Sequence, residues 1–218
     1  MTKTVLCYGD SNTWGFDPVS IGNAPFPIRF PRHVRWTGVL ARLLGDGVHV
    51  IEEGLNGRTT VFDDPLAAHR NGAKHLPACL ESHQPIDLVV LMLGTNDLKR
   101  HFATTPTDIA DGAALLGRMV LGSTAGPGNA PPRLLLACPA SLGDMSRHPW
   151  LAERFHDGIA RSRRLPELYA AAAGRLGCGF FDAQPHAAPS PQDGVHWEAA
   201  EHARFGAAIA DAVRAALA

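Results

Sequence analysis

Val5-Leu6-Cys7-Tyr8-Gly9-Asp10-Ser11-Asn12-Thr13-Trp14-Gly15 passes abruptly from an apolar run into a glycine-flanked serine. It reads as a buried strand that delivers Ser11 to the start of a turn or helix. Backbone N–H groups converge at such a point, and their partial positive charge favours an alkoxide or oxyanion. The plainer alternative is a helix cap made by Asp10, Ser11 and Asn12. Taken alone, the stretch favours the cap.

Outward from this first strand, at 4–8, apolar runs recur at 48–52, 87–93, 133–138 and 179–182. Helix-like segments lie between them. Val34, Leu40, Leu43 and Leu44 mark a helix over 33–44, and Ile109, Leu115, Leu116 and Val120 mark another over 107–121. Segment 153–176 is helical in pattern, and Pro166 predicts two helices or a kink there. Phe205, Ile209, Val213 and Leu217 form one stripe of a closing helix over 198–217. Alternation of this kind predicts an α/β fold with a mainly parallel sheet. It continues across the proline-containing linkers at 123–132 and 183–192, so 1–218 is expected to be one domain. Two connections, 16–32 and 61–85, read as long loops beyond strand ends, where functional loops belong.

The chain has 218 residues, with 20 basic against 21 acidic side chains, so no net field draws it to nucleic acid or an anionic membrane. A small neutral or weakly polar substrate fits better. No apolar stretch approaches the length of a membrane-spanning helix. The opening Met-Thr-Lys-Thr leads straight into a strand, leaving no room for a secretion signal, so a cytoplasmic location is expected. Cys7, Cys79, Cys138 and Cys178 are widely spaced and are expected to be buried, reduced thiols.

Three further islands supply what a reactive serine needs. In Asp193-Gly194-Val195-His196, His196 could accept the serine proton while Asp193 holds the imidazole tautomer. Asn96, in Gly94-Thr95-Asn96-Asp97, offers a side-chain amide to an oxyanion, and Gly57, in Asn56-Gly57-Arg58, offers an unobstructed backbone N–H. Each has a bland counterpart: an N-cap at Asp193, a turn at Asn56-Gly57, an Asx turn at Asn96-Asp97. All four islands lie beyond a strand or before a helix, on the edge of the sheet where α/β proteins bind ligands. That shared placement favours catalysis.

With these blocks the chain clearly resembles the SGNH hydrolases, or GDSL-type esterases. Gly9–Asn12, Gly57, Gly94–Asp97 and Asp193–His196 look like the four family blocks, and the resemblance spans essentially the whole chain. Arg35–Leu40, Ile51–Leu55, Arg58–Thr60, Asp63–Pro65, Leu76–Cys79 and Leu91–Asp97 bring it closer to the bacterial arylesterase and acyltransferase branch. The implied fold is a flavodoxin-like three-layer α/β/α sandwich with a five-stranded parallel sheet. The implied activity is hydrolysis of short-chain and aryl carboxylic esters through an acyl-serine. The resemblance assigns Ser11 as nucleophile, His196 as base then acid, Asp193 as its partner, and Ser11 N–H, Gly57 N–H and the Asn96 amide as oxyanion hole. It implies acyl transfer to alcohols or peroxide beside hydrolysis and assembly into homo-oligomers, octamers among them, and it implies no cofactor. Position 12, often leucine in the family, is Asn12, which is expected to make the pocket edge more polar.

Transfer needs an apolar channel that disfavours water. Trp14, Phe16, Phe30, Phe62 and Trp197 are candidate walls, and Asn12, Trp14 and Trp197 are the expected substrate contacts. The apolar groups of the two long loops are expected to bury against other subunits. Within the same fold, a carbohydrate acetylesterase is the rival function. A flavodoxin-like binding module that cradles a phosphate is the rival from another class, but the Asp10–Gly15 loop lacks the glycine density and lysine of a P-loop. No metal is expected, because the 11 histidines show no H-x-x-x-H pairing with carboxylates.

Overall fold

Lys3–Gly9 (β1), Val48–Gly54 (β2), Leu88–Met92 (β3), Arg133–Cys138 (β4) and Gly179–Asp182 (β5) form one parallel sheet in the order β2-β1-β3-β4-β5. These strands come from a computed structural model that describes residues 2–218. The chain leaves β1 toward one edge of the sheet and later fills the other side from β3 onward. The direction of winding therefore reverses between β1 and β3, and the carboxyl ends of these two strands bound the crevice where such sheets bind ligands. Ser11 follows β1 directly, and Asn96 lies just beyond β3.

Period-two alternation divides the apolar residues between two layers. Leu6 and Tyr8 of β1 face a core built with Gly72–His83 (α3), Pro106–Leu121 (α4) and Leu165–Leu176 (α7). Val5 and Cys7 face the opposite core, built with Trp36–Leu44 (α2) and Ala199–Leu217 (α8). On α8, Phe205, Ile209, Val213 and Leu217 recur every four residues and are all buried, as the stripe predicts. Trp36, Trp197 and Phe205 meet beneath the sheet, with ring centroids 5.2 Å apart for Trp36–Phe205 and 4.8 Å for Trp197–Phe205. Cys7, Cys79 and Cys138 are buried free thiols, and Cys178 is partly buried.

Three expectations need correction. Segment 61–85 is not simply a long loop, because α3 occupies Gly72–His83 within it, capped by the Asn71 side chain and containing Pro77. Segment 153–176 holds three helices: Pro149–Phe155 (α5) ends at His156, whose φ of 42° is left-handed, then come Gly158–Ser162 (α6) and α7. Pro166 is in the first turn of α7, where its missing N–H leaves no bond unmade. Finally, α2 starts at Trp36 rather than 33, where His202 Nδ1 accepts the Trp36 N–H at 3.2 Å.

Candidate active site

β1 ends at Gly9, and the four-residue helix Ser11–Trp14 (α1) follows after Asp10. The Asp10 side chain accepts the Asn12 N–H at 3.0 Å, so Asp10 does cap this helix. Ser11 does something else. Its Oγ lies 2.9 Å from His196 Nε2, and His196 Nδ1 lies 2.7 Å from Asp193 Oδ2. Residues 185 positions apart thus form a hydrogen-bonded relay in which the imidazole can take the serine proton and the carboxylate can steady the resulting imidazolium.

The turn that presents His196 is tightly determined. Asp193 Oδ1 accepts the N–H groups of Val195 at 2.8 Å and His196 at 2.9 Å, while Oδ2 remains for the imidazole. Gly194 between them has a φ of 70°, and a Cβ there would come within 2.5 Å of the Asp144 carbonyl oxygen, so only glycine fits. Burial alone would push the Asp193 carboxyl up, but its hydrogen bond to His196 outweighs that, together with the His196 charge and the backbone donors. The net effect holds it below the ordinary carboxylate range. Asp193 is therefore an anion at neutral pH.

Gly57 and Asn96 come to the same strand ends. Asn96 Nδ2 donates to the Arg58 carbonyl at 3.1 Å, tying the turn after β3 to the turn after β2. The N–H groups of Ser11 and Gly57 have no hydrogen-bond partner among the described residues. Arg58 and Asp97 are fully buried parts of the framework whose role sequence reasoning did not foresee. Arg58 donates to the carbonyls of Gly9, at 2.9 Å, and Glu53, and its guanidinium lies 4.1 Å from the Tyr8 ring centroid. Asp97 accepts the Thr60 N–H at 3.0 Å and also its hydroxyl, and burial nevertheless pushes this carboxyl up to about 6.

Two expected substrate contacts are placed elsewhere. Trp197 is buried in the core beside Phe205, where its ring cannot touch a ligand. The Asn12 side chain is turned inward as well: Nδ2 donates to the Val195 carbonyl at 3.3 Å and Oδ1 accepts the Trp197 N–H at 3.1 Å. It braces the His196 turn instead of making the pocket edge polar. Trp14 is partly exposed, with the Arg29 guanidinium 5.2 Å from its ring. Phe16, a candidate wall, stacks on the His196 imidazole at 4.1 Å between centroids and 19° between planes.

Over residues 7–208 the sequence matches the GDSL-like Lipase/Acylhydrolase family. The chain belongs to this family. As a GDSL-type member it is a carboxylic ester hydrolase. The aryl esterase of M. smegmatis shares 44% identity with it at a TM-score of 0.94, with 99% of this chain and 100% of that chain covered. A carbohydrate acetylesterase from Sinorhizobium meliloti is as similar, at 44% identity, a TM-score of 0.93, and 98% and 99% coverage. A second carbohydrate acetylesterase family member from Sinorhizobium meliloti shares 39% identity at a TM-score of 0.91, with 99% of each chain covered. No curated protein sequence matches the chain. Among the described residues of this GDSL-type esterase, no helix is long and apolar enough to cross a membrane.

Proposed function

We propose that this protein is a serine esterase for short-chain acyl and aryl esters, working through an acyl-serine. The relay Ser11–His196–Asp193, with contacts of 2.9 Å and 2.7 Å, carries the proposal. His196 Nε2 accepts the Ser11 proton as Oγ attacks the ester carbonyl. The tetrahedral oxyanion is held by the Ser11 and Gly57 N–H groups and the Asn96 amide, which act only once charge has developed. His196 then returns the proton to the departing alkoxide or phenoxide. In the second half, water or an alcohol gives its proton to His196, attacks the acyl carbonyl and restores the Ser11 hydroxyl.

The acyl-enzyme partitions between water and other acceptors according to which reaches the carbonyl. Phe16 lies against the imidazole and Trp14 is close by, so one side of the entrance is apolar. Hydrogen peroxide and small alcohols are the acceptors this chemistry admits. Val19, Phe26, Ile28 and Leu66 are exposed on the two segments beyond the strand ends, which supports a homo-oligomer that buries them and narrows the approach to Ser11. Light scattering at the mass of one chain would count against that assembly.

Ser11→Ala tests the reading directly. It should lower kcat by roughly 10³- to 10⁶-fold with the fold intact. The equal likeness to an aryl esterase and to a carbohydrate acetylesterase favours one second reading, release of acetate from acetylated sugars. Turnover of p-nitrophenyl acetate against an acetylated xylo-oligosaccharide separates the two.

A further inference from the structure

Glu53 stands on the sheet face where a hydrophobic residue belongs. Register pairs Leu6 with Ile51 and Tyr8 with Glu53, and Leu6, Tyr8 and Ile51 all pack in the α3-facing core. The Glu53 carboxylate meets one face of α3, on which His75, Cys79 and His83 recur every four residues. His83 Nε2 lies 2.9 Å from Glu53 Oε1, and His75 Nε2 lies 3.8 Å from Oε2. Donor atoms of Glu53, Cys79 and His83 all lie within 4.8 Å of one another. A helix supplies two of these ligands and a neighbouring strand the third, which is why no histidine–carboxylate spacing reveals the cluster in the sequence.

The geometry points to a divalent transition-metal site, best suited to Zn²⁺, held by Glu53, Cys79 and His83. A thiolate, an imidazole and a carboxylate suit Zn²⁺ or Co²⁺ and do not suit Mg²⁺ or Ca²⁺, which prefer all-oxygen shells. Metal–ligand bonds of about 2.0 to 2.3 Å place tetrahedral donors roughly 3.3 to 3.8 Å apart, so small side-chain rotations bring these three into range. Two anionic ligands match the charge of the ion. On the Glu53 and His75 side of the cluster lies a cavity of about 480 Å³, also lined by Arg58 and Lys74, through which water can approach the Glu53 carboxylate. His75, 3.8 Å from the other carboxylate oxygen, is placed to orient the Glu53 ligand once a small rotation closes that contact. Ser11, Asn96 and His196 do not line this cavity, so the site stands apart from the proposed ester chemistry. Its effect is mechanical. Bridging β2 to the end of α3 closes the 55–71 segment, which carries Gly57.

Tag-free protein, stripped with a chelator and titrated with Co²⁺ and then Zn²⁺, gives the test. The expected result is one ion per chain by elemental analysis, a near-ultraviolet thiolate-to-Co²⁺ charge-transfer band, and a thermal midpoint raised by Zn²⁺. Cys178→Ser should keep the band. Cys79→Ser should abolish it, and His75→Gln should weaken Zn²⁺ binding by about 10-fold. If Cys79→Ser does not fold, His83→Gln at the helix end decides, with loss of stoichiometric binding expected. No stoichiometric binding by the native chain, a band that survives Cys79→Ser, or full binding by His83→Gln would each overturn the site.

Discussion

Asn12 Oδ1 accepts the backbone N–H of Trp197 at 3.1 Å, joining the residue after Ser11 to the residue after His196. With the Nδ2 bond to the Val195 carbonyl at 3.3 Å, one side chain spans the backbone on both sides of the histidine. The distance between Ser11 Oγ and His196 Nε2 is thereby set by a strut between their neighbours.

Asn12→Leu removes both bonds and leaves the buried Val195 carbonyl and Trp197 N–H without partners. A displacement of about 1 Å between reacting groups can lower turnover by roughly 10²-fold. We expect kcat on p-nitrophenyl acetate to fall about 10- to 100-fold with little change in KM. A change in KM alone would mean that Asn12 contacts substrate instead.

Asn96→Ala should lower kcat by about 10²- to 10³-fold through loss of one oxyanion donor. Gly57→Ala acts differently, because its φ of 79° is left-handed and a Cβ would sit 3.3 Å from the Arg70 side chain. Left-handed backbone costs about 1 to 2 kcal/mol for an alanine, so denaturant unfolding should show a loss of that order.

Phe16→Ala uncovers the imidazole face. Water then reaches the acyl-serine more readily, and the ratio of transfer to hydrolysis in the presence of an alcohol should fall. Product analysis by chromatography gives the ratio, and an unchanged value would remove Phe16 from the channel wall.

His202 gives the fold an acid sensitivity of its own. Burial, with smaller contributions from the His196 and Arg35 charges, pushes its pKa down to about 3. The unfolded chain takes up this proton near pH 6.5 and the folded chain does not. Stability from the neutral ring is therefore complete above about pH 6.5 and is lost as pH falls toward 3. Asp97, raised to about 6, works in the opposite sense: its contribution is full below its ordinary value and is lost as pH rises through 6. His202→Gln leaves Asp97 in place, so its thermal midpoint should decline less between pH 7 and pH 4 than that of the native chain. Parallel curves would contradict the assignment.

The strands at 133–138 and 179–182 were legible as short apolar runs, the first of them continuously buried from Leu134 to Cys138, and the stripe of α8 was legible because its four-residue spacing coincides with burial. α3 was not, since Pro77 and its four exposed polar or charged positions break the apolar pattern that marks a helix. Ser11, Asp193 and His196, which the fold brings into one hydrogen-bonded relay, were singled out in the sequence by their order along the chain and by family blocks. Asn12 and Trp197 were misread for a physical reason. Residue type suggests a pocket, but only the fold reveals that the Asn12 amide has two backbone partners and that Trp197 points into the core. The Glu53, Cys79 and His83 cluster was hidden because two of its members are on α3 and the third is on β2.

Trapping the acyl-enzyme tests the central claim most directly. The native protein, quenched in acid during turnover of p-nitrophenyl acetate and digested for mass spectrometry, should carry one acetyl group on the peptide containing Ser11. Ser11→Ala should carry none and should lack turnover. Acetyl on another residue, or turnover by Ser11→Ala at the native rate, would contradict an acyl-serine at this position.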